Sequence, residues 1–246
     1  MKLSIVIPAY NEEGSIAETL LNLAHVLKRE SIAHEILVVN DNSKDNTLQV
    51  LEKQQQSLDT LRILTNPGAN GFGYAVRYGL ERIEGDCVAI MMADLSDDPE
   101  DLVNFYRKMV SEKVDCVFGS RWIQGGSAID YPQPKRFMNR FFNTLVRLTF
   151  RLKYNDLTNA FKLYRKETIA GLKPFLSPHF NLTLELPLKA IVRGYTYTIM
   201  PNSWRNRKQG ESKLTIKEMG SRYFFILLYC LIEKYFSRGD FNKKPF

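Results

Sequence analysis

Five short apolar runs, at residues 3–7, 35–39, 61–65, 87–92 and 114–119, alternate with stretches whose apolar residues recur at helical spacing. No other feature constrains the fold as strongly. Strands separated by helices build βαβ units, whose right-handed crossovers lay the strands side by side in a mostly parallel, doubly wound sheet with helices on both faces. The spacing predicts helices over residues 15–29, up to about 56, and over 74–82.

The run at 87–92 is apolar at every position and ends abruptly at Asp94, Ser96, Asp97 and Asp98, with Pro99 opening the next helical pattern. A run without polar alternation suits a strand buried on both faces. In open α/β sheets ligands lie beyond the carboxyl ends of the strands, which places these oxygens on a crevice floor. Clustered hard oxygens suggest Mg²⁺ or Mn²⁺, held by Asp94 and Ser96 together with substrate phosphates. The competing reading is structural: Ser or Asp before a Pro commonly caps a helix, and Asp98 stands in that place.

The polar turns at 8–12, 40–47 and 66–73 should share the edge that holds Asp94. Asp41 can accept a hydrogen bond from a base or ribose, although Asp41, Ser43 and Asp45 also suit helix capping and turns. Gly68, Gly71 and Gly73 form neither a dinucleotide fingerprint nor a Walker loop. Gly71 would let the backbone approach a phosphate or sugar, or would serve only to form the turn.

Beyond Gly119 the alternation stops. Over residues 136–152, Phe137, Phe141, Leu145, Leu148 and Leu152 form a narrow helical stripe, with Arg136, Arg140, Arg147 and Arg151 on the adjacent face. Such a helix suits the headgroup region of a membrane, or else an ordinary helix packed on the sheet with a solvated basic face. A helical stretch at 182–193 and a strand at 195–200 precede a basic loop, where Arg205, Arg207, Lys208 and Lys213 surround Gly210. Such a loop suits closure over a phosphorylated ligand, or else is a solvated run of charge. Residues 220–236 are apolar nearly all round and call for burial on lipid, on a second copy of the chain or on a membrane-spanning partner.

With 34 Lys and Arg against 27 Asp and Glu, the net charge of +7 favours anionic partners. Nucleic acid would explain the charge but not the ordered acids, so it is not expected. Three cysteines, an odd number without metal-ligand spacing, read as reduced core residues. The N-terminus lacks signal-peptide character, and the longest apolar run, 223–232, is about half the roughly 20 residues of a membrane span. A protein peripheral to the cytosolic face of a membrane is the expectation.

The ordered motifs Ile-Pro-Ala-Tyr-Asn-Glu (7–12), Asn-Asp-Asn-Ser-x-Asp (40–45), Ala-Asp-Leu-Ser-Asp-Asp-Pro (93–99), Asp-Leu-Thr-Asn-Ala-Phe-Lys (156–162) and Arg-x-x-Gly-Glu-Ser-Lys (207–213) together resemble family 2 glycosyltransferases. The nearest branch resembles the polyprenyl-phosphate glycosyltransferases, such as dolichyl-phosphate mannose synthases. The resemblance covers residues 3 to about 215 and implies a GT-A fold for the domain at 1–215; the apolar and basic residues of 216–246 are read as a docking segment. It also implies a UDP- or GDP-sugar donor, a divalent metal, inversion at the anomeric carbon and a polyprenyl phosphate acceptor. Residue by residue, Pro8, Tyr10, Glu12 and Asp41 would hold the nucleoside, and Asp94 and Ser96 the metal. Arg121, Arg207, Ser212 and Lys213 match positions around the donor diphosphate and acceptor phosphate, and Asp156 an acid near the sugar. Two departures stand out. Met92 replaces the first acid of the usual Asp-x-Asp, and Asn40 the first acid of an Asp-Asp pair, so weakened metal binding is expected. An acceptor hydroxyl, the nearest alternative, would need a base, for which Asp97 or Asp98 is the candidate. A non-catalytic sugar-nucleotide-binding or membrane-binding protein is the alternative from another class.

Overall fold

The computed structural model describes residues 1–207 and 216–243. In chain order its elements are β1 (Leu3–Ala9), α1 (Ile16–Arg29), β2 (His34–Asn40), α2 (Thr47–Gln55), β3 (Leu61–Thr65), α3 (Phe72–Leu80), β4 (Cys87–Ile90) and α4 (Pro99–Glu112). There follow β5 (Cys116–Ser120), β6 (Ser127–Ile129), α5 (Gln133–Phe150), β7 (Lys162–Arg165), α6 (Lys166–Gly171), α7 (Leu182–Val192), β8 (Tyr197–Pro201), β9 (Ser203–Arg205) and α8 (Ile216–Phe236). The main sheet runs β3-β2-β1-β4-β7-β5-β8, and β6 pairs with β9 in a small ribbon. Among the described strands of this sheet only β7 is antiparallel to its neighbours, lying between β4 and β5.

The sheet is covered on both faces, as the alternation demands. α1 buries Ile16, Leu20, Leu23 and Leu27, one helical stripe, against the face that also receives α4 through Leu102, Phe105 and Met109. α3, α5, α7 and α8 supply the opposite core. The strand order turns back at β1, which pairs with β2 on one side and β4 on the other. That reversal leaves a crevice at the carboxyl ends of β1 and β4, where α/β proteins bind ligands.

The fourth strand is shorter than its apolar run, for a local reason. The Met91 amide still donates to Val6 O, but the Met92 amide turns to Asp97 Oδ2 at 3.0 Å, ending the ladder at Ile90. β7 falls in a stretch to which the sequence pattern assigns no element. The α5 stripe faces outward: Asn143, Val146 and Phe150 pack inward, whereas Phe137, Phe141 and Leu148 are 70%, 60% and 66% exposed. Polar residues therefore dock the first half of this helix, Asn139 and Asn143 both donating to Thr158 Oγ1 at 2.8 Å. Leu152 alone of the stripe packs against the core, because the helix ends at Phe150 and Arg151 reverses the chain with φ 56°.

α8 buries Tyr223, Ile226, Leu227 and Cys230 in the core it shares with α5 and α7. The buried Arg193 clamps it, its guanidinium donating to both carboxylate oxygens of Glu233 at 2.7 and 2.8 Å. Phe224, Phe225, Leu228, Ile232, Tyr235 and Phe236 remain exposed on the other side. No helix among the described residues is long and apolar enough to cross a membrane.

Candidate active site

The turn after β4 is built by its own polar atoms. Leu95 takes the left-handed conformation, φ 62°, which a branched side chain tolerates poorly and which folds the chain back on itself. Asp94 Oδ1 then accepts from the Ser96 amide at 3.2 Å, and Thr19 Oγ1 donates to Ala93 O at 3.0 Å. Asp98 caps α4 by accepting from the Glu100 amide at 2.9 Å, with Pro99 in the first turn. One oxygen of Asp98 is thus occupied as a cap, and the residue also lines the larger of the two cavities at this site. Asp97 is buried instead, and burial pushes its carboxyl up to about 7, opposed by the Met92 amide and reinforced by the charge of Asp94.

A second segment is sewn onto this turn. The Arg205 amide donates to Ser96 O at 3.0 Å, the Asn206 amide to Ile129 O at 3.0 Å, and the Ser203 amide to Asp101 Oδ2 at 2.6 Å. Burial lifts the Asp101 carboxyl to about 6, against the pull of that amide. β9 therefore delivers Arg207 to the crevice, where its Nη2 lies 2.7 Å from Asp94 Oδ2 and its Nη1 3.5 Å from Glu12 Oε1. Two cavities, of 170 and 430 Å³, meet at Asp94, Ser96, Asp97, Trp204 and Asn206. The first also reaches Met92, Arg121, Arg207 and, from α5, Lys135 and Asn139.

Arg121 is held from behind. Asp156, fully buried, accepts from its Nε at 2.8 Å, its Nη2 at 2.7 Å and its backbone amide at 3.0 Å. Burial disfavours the guanidinium charge, but the Asp156 charge and hydrogen bonds outweigh that and raise its pKa. Asp156 does not line either cavity, so its contact with the site runs through Arg121. Nearby, Lys162 is buried and donates to Leu157 O at 3.0 Å, Thr183 O at 3.3 Å and Asn159 O, while burial draws its pKa down to about 7.

The expected nucleoside residues gather at the ends of β1 and β2. Pro8 and Tyr10 are half-buried there. Asp41 bonds the next turn, accepting from Asn66 Nδ2 and from the Gly71 amide, each at 2.7 Å. Gly71 and Gly73 make room for protein: a Cβ at Gly71 would stand 2.6 Å from Pro178 O, and one at Gly73 2.4 Å from Ser177 O. The approach they permit is that of the segment before α7. Among the site residues inferred from sequence, Asp94, Ser96, Arg121 and Arg207 line one cavity, with Glu12 joined through Arg207. Ser212 and Lys213, with Lys208 and Gly210, lie outside the described residues. Lys135, Asn139, Trp204 and Asn206 also line the cavity, and nothing in their local spacing marks them as site residues.

The oxygens around Asp94 are the donor set for the divalent ion expected there. Ser96 Oγ is buried without a hydrogen-bond partner among the described residues, a free oxygen suited to a ligand. Against this, the first acid of the family motif is missing. Met92 offers only a soft thioether, and the outer oxygen of Asp94 already binds Arg207. A metal ion would have to expel that guanidinium from Asp94 and Glu12, so these residues do not fit a resident Mg²⁺ or Mn²⁺.

A model of glycosyl transferase family 2 matches residues 4–172. The chain belongs to this family. It is 28% identical over 221 residues to a dolichol-phosphate mannosyltransferase of Pyrococcus furiosus, covering 87% of this chain and 59% of the relative. Over 219 residues it is 26% identical to glycosyltransferase AglD of Haloferax volcanii, covering 88% of this chain and 35% of that protein. The chain thus spans less than two thirds of the length of either relative. Its fold also matches glucosyl-3-phosphoglycerate synthase of Mycobacterium tuberculosis, solved with Mn²⁺, UDP and phosphoglyceric acid (TM-score 0.69, 16% identity, 95% of this chain and 78% of the other). TarS of S. aureus matches with a TM-score of 0.66 and 18% identity, over 95% of this chain and 65% of that one. The family 2 chain therefore has a GT-A fold.

Proposed function

We propose that this family 2 protein transfers a sugar from a nucleotide-diphosphate sugar to polyprenyl phosphate at the cytosolic face of a membrane, inverting the anomeric carbon. One observation carries the acceptor. The cavity beside Asp94 and Arg207 is walled by α5 and α8, through Lys135, Asn139 and Tyr223, and these two helices carry the exposed apolar side chains. A lipid lying on that face can present its phosphate to the cavity while its chain stays in the bilayer. The name of the Pyrococcus furiosus relative supports the same acceptor class.

In this reading an acceptor phosphate oxygen attacks the anomeric carbon as the bond to the donor diphosphate breaks. The nucleophile is already ionised and needs no general base. Negative charge grows on the leaving diphosphate, where Arg207 stands ready to stabilise it, with Ser212 and Lys213 proposed beside it. Arg121, made rigid by Asp156, faces the same cavity and orients donor or acceptor phosphate. The second reading, transfer to a hydroxyl, is favoured by Asp97, a buried carboxyl that lines both cavities and is placed as a base.

The test is transfer of labelled sugar from a panel of UDP- and GDP-sugars to polyprenyl phosphate in detergent, alongside hydroxyl acceptors. Lipid-linked product with one donor is expected. Product on hydroxyl acceptors alone would replace the first reading with the second, and nucleotide binding without transfer to any acceptor would replace both with a non-catalytic one.

A further inference from the structure

We propose that Arg207 takes the place of a resident divalent cation, so that the donor diphosphate binds to a guanidinium and the Ser96 hydroxyl without requiring metal. The inference rests on the nucleotide-sugar reading and concerns how that donor is held. Three observations lead to it. Met92, half-buried, lines the same cavity as Asp94 and offers only a thioether, a poor ligand for hard cations. The carboxylate next along, Asp97, spends Oδ2 on the Met92 amide at 3.0 Å, so the substituted residue is itself anchored by an acid. Both oxygens of Asp94 are engaged, one in its own turn and the other 2.7 Å from Arg207 Nη2.

Arg207 reaches that point because the chain before it is pinned. Hydrogen bonds from the amides of Ser203, Arg205 and Asn206 fix three of the four preceding residues to the turn after β4, to α4 and to the β6 edge. Glu12 on the β1 side brackets the guanidinium opposite Asp94. A cation held between two carboxylates at the mouth of a phosphate cavity has the electrostatic role of a metal ion. A guanidinium stays charged at every physiological pH and offers several N–H donors in a fork that matches phosphate oxygens. Ser96 Oγ, buried and unpartnered among the described residues, adds a hydroxyl donor on the same wall.

The experiment measures equilibrium binding of UDP and GDP to the full chain in EDTA and again with Mn²⁺, with Mn²⁺ binding followed separately by electron paramagnetic resonance. Wild type is expected to bind one nucleotide with a Kd that changes less than about threefold between the two conditions. Arg207→Gln should weaken binding in EDTA by roughly 10- to 100-fold, the range for losing a charged hydrogen bond. Met92→Asp, which restores a second carboxylate, should acquire a Mn²⁺ signal and tighten nucleotide binding when the ion is present. The inference is overturned if wild-type binding is lost in EDTA, or if Arg207→Gln binds Mn²⁺ and nucleotide more tightly than wild type, the behaviour of a plug rather than a substitute. Failure of wild type to bind either nucleotide under both conditions would instead remove the nucleotide-sugar reading on which the inference stands.

Discussion

Replacing Phe137 and Phe141 together by serine probes the outward face of α5 directly. The two side chains are 70% and 60% exposed, so they contribute little to the core, and the double variant should unfold within about 0.5 kcal/mol of wild type. On a membrane the same rings would leave water. Taking about 2 kcal/mol for full burial of one phenyl ring and scaling by exposure, the pair is worth about 2.5 kcal/mol, or roughly 50- to 100-fold in partitioning. Co-sedimentation with vesicles of anionic phospholipid, titrated with lipid, measures that partition coefficient. Transfer to polyprenyl phosphate in vesicles should fall in step, whereas turnover of a short-chain acceptor in detergent should change far less. A loss of partitioning under about threefold would refute the membrane-facing assignment, because surface area of this size cannot enter a bilayer without registering. A matching drop in unfolding free energy would refute it differently, by showing that the rings are packed in solution.

Two further outcomes follow from the buried charges. Asp156→Asn leaves the Arg121 guanidinium buried against a neutral amide, which should cost about 3–5 kcal/mol in urea unfolding, and an unchanged midpoint would contradict the buried pairing. At the amino-terminal edge of the sheet, burial pushes Glu35 up, but the Ser4 hydroxyl, the Glu84 amide and Arg62 together hold it below the ordinary glutamate value. A depressed carboxyl contributes stability that is present above its unfolded pKa and lost as pH falls through the folded one. Urea midpoints taken from about pH 6 down to about pH 3 should therefore decline, and Glu35→Gln should lower the plateau while flattening that decline.

The helices and strands of the first half were legible because their signals are local. Residues 16, 20, 23 and 27 mark one face of α1 whatever it packs against, and Asp98 before Pro99 caps α4 using atoms two residues apart. The apolar run at 87–92 announced a buried strand, yet its end depended on Asp97 capturing the Met92 amide, a choice that periodicity does not encode. The stripe on α5 was equally plain, but its direction was not. Hydrophobic spacing defines a face and is silent on whether that face meets protein or solvent; Asn139, Asn143 and Thr158 decided it.

By itself, the sequence determined the alternating architecture, the acidic turn after the fourth strand and the membership of its motifs in one family, all carried by neighbours along the chain. Tertiary structure alone decided that β7 inserts antiparallel between β4 and β5, that Asp156 lies behind Arg121, and that Arg207 meets Asp94 and Glu12. Those pairings join residues far apart in the chain. Their partners are chosen by burial, since a charge taken out of water must find an opposite charge or donor wherever the fold supplies one. Spacing along a sequence records what one helix or strand can do, and only the packed molecule records which charges are left facing each other.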